Sequence, residues 1–136
     1  MKKLLLFLLL IGTMACSKPQ NTKLPQQVES LIAQDKYPEA LALLDGQEET
    51  PEILKLKEKT HLNYGLFLEY RDSDITNMRD KMNSALSQYI EVLKLNIENE
   101  KAISEIDQIL GIYSSMPDRK PDEKVIEELH GLGFEY

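Results

Sequence analysis

From residue 24 to the end of this 136-residue chain, apolar side chains recur every three or four positions, the spacing that lines one face of an α-helix. Leu24, Val28, Leu31 and Ile32 make the first stripe. Tyr37, Ala40, Leu41 and Leu44 make the second, with Asp35 its expected cap, Pro38 tolerated in its first turn and Gly46 its stop. Thr50-Pro51, a cap followed by a first-turn proline, opens a third helix with Ile53, Leu56, Thr60, Tyr64, Phe67 and Leu68 on one side. Arg71-Asp72-Ser73-Asp74 interrupts the pattern and supplies new caps. Ile75, Met78, Met82, Ala85, Leu86, Tyr89 and Leu93 then form the most regular stripe. Past an Asn96–Asn99 turn, with Asn99 as cap, come Ile103, Ile106, Leu110 and Tyr113. Met116–Lys120 reads as a loop, and Pro121 starts a short helix through Val125, Ile126 and Leu129 that Gly131 ends. The aromatic tail Leu132–Tyr136 is expected to tuck back onto the body. No segment alternates with period two, so the expected fold is all-α, made of short antiparallel helical hairpins.

The N-terminus follows another logic. Lys2 and Lys3 precede an unbroken apolar run, Leu4 to Ile11, and Gly12-Thr13-Met14-Ala15 closes it before Cys16. That layout is an export signal. The run falls well short of the roughly 20 apolar residues that a spanning helix needs. Thr13-Met14-Ala15-Cys16 resembles the lipobox of bacterial lipoproteins, although Thr13 stands where Leu is usual. The resemblance implies cleavage after Ala15 and a diacylglycerol on the Cys16 thiol. The competing reading is an ordinary signal peptide with a chance cysteine. The expected organisation is a signal peptide over residues 1–15, a lipidated tether over 16–23 and a helical domain over 24–136. Ser17 after the cysteine points to the outer membrane in a cell that has two.

Charge sharpens this picture. The chain has 16 basic and 23 acidic side chains, net −7; loss of Lys2 and Lys3 with the signal leaves 14 against 23, or −9. Such a domain offers no basic surface for nucleic acid or anionic headgroups. The lipid is then the expected membrane contact. A single cysteine excludes an internal disulfide or a multi-cysteine metal site.

Two segments look alike. Residues 35–44 contain Tyr37-x-x-Ala40-x-x-x-Leu44, and residues 84–99 contain Ala85-x-x-x-Tyr89 followed by Leu93-Lys94-Leu95-Asn96-x-x-Asn99. This resembles the second helix and closing turn of a tetratricopeptide repeat, where a small residue lets helices approach and an aromatic one turn on fills the gap. Ile97 replaces the turn proline, and Ala40 and Ala85 lie 45 residues apart instead of the ~34 of the repeat. Leu66 to Thr76 fits the pattern badly. The competing reading is a generic helical bundle. Repeats of this family hold peptides on a concave face, and the register through Ala85 would turn Lys101, Ser104 and Gln108 toward it.

Catalytic chemistry finds little support. Glu58-x-x-His61 and Glu127-x-x-His130 each set a carboxylate and an imidazole on one helical face, as in di-iron bundles, but such a centre needs two more inward carboxylates. Asp72-Ser73-Asp74 lacks the remaining calcium ligands of an EF-hand. There is no phosphate loop and no nucleophile motif. The expectation is a non-enzymatic, cofactor-free envelope adaptor whose partner is a protein or peptide. The alternatives are a carrier of a small hydrophobic ligand or a metal-binding helical enzyme.

Overall fold

A computed structural model describes residues 23–136, and the expectations placed on residues 1–22, Cys16 among them, lie outside these. Six helices follow one another: α1 (Lys23–Ala33), α2 (Tyr37–Asp45), α3 (Pro51–Tyr70), α4 (Met78–Leu95), α5 (Glu100–Ser114) and α6 (Glu123–Gly131). The described residues hold no strand. The all-α fold of antiparallel hairpins is therefore as the periodicity predicts. Successive helices from α1 to α5 pack side by side, α1 also touches α3, and α6 returns onto α4.

Local chemistry sets most boundaries. The Thr50 hydroxyl accepts from the Ile53 amide at 3.3 Å with Pro51 behind it, and the Asn99 side-chain oxygen accepts from the Ala102 amide at 2.9 Å. Both satisfy amides that the first helical turn leaves free. Four other boundaries differ from expectation. Asp35 does not cap α2. It takes φ 58° after α1, while the Lys36 amide reaches back to Leu31 and its own to Ile32. That is a Schellman ending, a left-handed residue that short polar side chains tolerate. Gly131 is the last residue of α6, not its stop. Gly133, at φ 91°, closes the helix in the same manner, with Phe134 bonding back to Leu129. Helix α4 begins after Asn77, which accepts from Arg79 at 2.9 Å, so Ile75 lies in the loop and Met78 is 59 % exposed. The Asp72 carboxylate accepts from the Asp74 amide at 2.8 Å, an Asx turn that shapes this loop without capping the helix. Pro121 precedes α6, whose N-cap is Asp122.

Two cores result. Leu24, Val28, Ala40, Leu44 and Ile53 form the smaller, between α1, α2 and the first turns of α3. The larger gathers Leu68, the inner face of α4, the inner face of α5, and Val125 and Leu129 of α6. Helix α3 is long enough to serve both. Tyr37 marks the seam, stacked on Tyr64 with ring centroids 5.0 Å apart and tilted against Phe67 at 5.5 Å. Gly65 lets α3 approach α4: a Cβ there would stand 2.8 Å from Cδ1 of Tyr89, a ring with no exposed surface.

Candidate functional site

Where α3 ends, its last turn lies beside the first half of α5, and the polar groups of both helices converge. Glu105 points inward from α5 and is only 3 % exposed. Lys101, one turn before it, pairs with one of its carboxylate oxygens, and the Tyr70 hydroxyl donates to the other at 2.6 Å. Gln108, one turn after, donates from Nε2 to the Tyr70 oxygen at 2.7 Å and to Glu69 at 3.2 Å. From beneath, the Tyr89 hydroxyl of α4 donates to the second oxygen of Glu69 at 2.7 Å. The two carboxyls are near enough for a protonated Glu69 to donate a hydrogen bond to Glu105.

Burial and neighbouring charge set the protonation of this group. Burial raises the Glu69 carboxyl above the ordinary carboxylate range, against the hydrogen bonds from Tyr89 and Gln108, and the Glu105 charge raises it further. Burial also acts on Glu105, but the hydrogen bonds from Lys101 and Tyr70 outweigh it and hold that carboxyl low. Both tyrosine hydroxyls are pushed up, by burial first and by their carboxylate partners second. The environments of two adjacent acids thus drive them apart, one toward the proton and one away from it.

Of the residues singled out in the sequence, Lys101, Ser104 and Gln108 share one side of α5. Lys101 and Gln108 stand on either side of Glu105 and are engaged with it or its partners, while Ser104 is exposed. Glu69, Tyr70, Tyr89 and Glu105 were not legible as site residues. Glu105 falls between Ser104 and Ile106 on a helix crowded with acids, and nothing in the pattern marks it as the buried one. Tyr89 is core, as its stripe predicts, yet its hydroxyl serves the cluster.

The histidines go elsewhere. His61 Nδ1 meets the Gln88 carboxamide at 2.9 Å, and Glu58 accepts from the side-chain Nδ2 groups of Asn96 and Asn99 at 2.8 and 2.7 Å, tying the α4–α5 turn to α3. His130 is exposed at the end of α6. Among the described residues, no three His, Cys, Asp or Glu side chains gather as a metal site, and no helix is long and apolar enough to cross a membrane. The apolar depression lined by Gln27, Ser30, Leu31 and Leu43 lies open on the flank of α1 and α2. Comparison with known proteins adds no relative: no family model, curated protein or solved structure matches the chain.

Proposed function

We propose that this chain is a lipid-anchored adaptor of the bacterial cell envelope, tethered through Cys16 and holding a protein or peptide partner on the joined face of α3 and α5. The observation that carries the reading is the run from Met1 to Cys16, a charged start, an apolar stretch and small residues ending on the chain's one cysteine. The partner is assigned to α5 because Lys101, Ser104 and Gln108 present polar groups along one exposed side, next to a Tyr70 ring that is 55 % exposed. An exposed aromatic among hydrogen-bonding groups suits peptide contact.

A repeat-like ancestry of the tetratricopeptide kind belongs to the same proposal. In its support, Ala40 on α2 and Ala85 on α4 are fully buried, and Leu44 and Tyr89 fill the space one turn on. The added length between these pairs lies in the 20-residue α3 and the loop after it. The helices α1, α3 and α5 would then be the first helices of successive repeats, cross-linked by Lys59–Glu29 at 2.5 Å and by the Glu69–Gln108 bond.

The anchor is tested by mass spectrometry of the processed N-terminus in an expressing bacterium. A diacylated Cys16 is expected, and Cys16→Ser should release the protein from membranes. An unmodified N-terminal cysteine refutes the anchor. The partner face is tested by crosslinking in the envelope from a photoreactive residue at Ser104. A discrete crosslinked species that Gln108→Lys diminishes supports the adaptor reading, and none above the level of a probe on α6 refutes it.

A further inference from the structure

The cluster between α3 and α5 has an arrangement that no partner-binding role requires. Two carboxyls face each other where one is 3 % exposed, and the lysine beside them, Lys101, pairs with Glu105. In a half-buried site, two adjacent carboxylates with one counter-charge repel, and the pair is relieved by keeping one proton. The donors are divided unequally. Glu105 takes the charged one, Lys101, and the Tyr70 hydroxyl; Glu69 takes only neutral donors, Tyr89 and Gln108.

We propose that the α3–α5 joint is a pH-sensitive latch, closed by a proton that Glu69 holds and donates to Glu105, and loosened when that proton leaves. The ionisable groups that face it are Glu69 and Tyr70 from α3, Tyr89 from α4, and Lys101 and Glu105 from α5. Both tyrosines are shifted upward and stay neutral through the neutral range, so Glu69, raised above the ordinary carboxylate range, is the group that titrates. Its native affinity for the proton is raised. The closed joint therefore binds more protons than the open one above the ordinary carboxylate value of 4.5, and its stability falls as pH rises through that window. Glu105 is shifted the other way, so acid below 4.5 weakens the joint as well. The latch is tightest in mild acid. This holds whether or not the surface above it carries a partner.

The test uses the full-length chain in detergent, with carboxyl-carbon NMR titration and amide exchange corrected for intrinsic rate. Glu69 should titrate above the ordinary range, with the Glu105 resonance reporting the same event. Over the same interval the opening constant for amides from Lys101 to Gln108 should rise by up to about tenfold per pH unit. Glu69→Gln, a neutral mimic of the closed state, should remove that rise while Glu105 keeps its low titration. Glu105→Gln should move the Glu69 titration downward, which keeps the test decisive if the first variant folds poorly. An ordinary Glu69 titration overturns the latch, and so does a rise in opening that survives in Glu69→Gln.

Discussion

The two cores are built on different terms. The larger closes α3 to α6 around fifteen buried apolar side chains, with Tyr89, Ile90, Ile106 and Ile109 completely enclosed. The smaller has five, and the α1–α2 hairpin is then fastened to α3 by surface chemistry. Arg71 lies over the Phe67 ring at 5.2 Å and grips Asp35 with its two terminal guanidinium nitrogens, at 2.7 and 3.2 Å, while Tyr37 donates its hydroxyl to the same carboxylate at 3.0 Å. Lys57 reaches Asp45, and Lys59 reaches Glu29. Pairs of this kind, each with a partner open to solvent, contribute little apiece and weaken with salt. A hairpin with a thin core and a polar clasp should open below the free energy of global unfolding, and the α4–α5 pair should open only with it.

Substitutions separate the two regions. Tyr89→Ala should have the largest effect, about 3–5 kcal/mol of global stability, since it empties the larger core and strips Glu69 of a donor. Urea denaturation followed by circular dichroism measures it. Leu44→Ala, fully buried in the smaller core, should cost about 2–5 kcal/mol, expressed chiefly as local opening. Amide exchange should show α1 and α2 losing protection while α4 and α5 keep theirs; uniform loss would mean that the two cores form one cooperative unit.

Gly65→Ala tests the joint between the regions. Alanine is the better helix former by about 1 kcal/mol. The enclosed Tyr89 ring, held at its hydroxyl by Glu69, leaves no room for the methyl, so overpacking of about 1–3 kcal/mol should make the net effect destabilising. A gain in melting temperature would show that α3 and α4 can part at no cost. The smallest effect belongs to the clasp. The Arg71 hydrogen bond holds Asp35 below its ordinary 3.8, so its contribution is present above that value and lost as pH falls through the depressed one. Exchange of α1 amides should quicken in strong acid, and Asp35→Asn should remove that dependence. The Glu69 latch runs in the opposite sense, weakening as pH rises, so one titration distinguishes the clasp from the joint.

The reach of the sequence follows from the range of the forces involved. Helix faces were legible because burial repeats with the helical period. The caps at Thr50 and Asn99 were legible because a side chain and an amide two or three residues on settle them between themselves. Asp35 misled for the same reason. A short polar residue before an apolar stripe suits an N-cap and a left-handed ending alike, and Arg71, 36 residues away, now holds its carboxylate. On α5, Lys101 and Gln108 could be placed on one exposed side, but not the Glu105 between them.

By itself, then, the sequence determined that the chain is helical, where most helices begin and end, and the signal-like pattern that ends at Cys16. Those are properties of neighbours along the chain. Only the tertiary structure decided that the helices enclose two unequal cores, that Gly65 must be small to admit Tyr89, and that Glu69 and Glu105 meet. Each of these depends on how closely two helices approach, which packing fixes and periodicity leaves open.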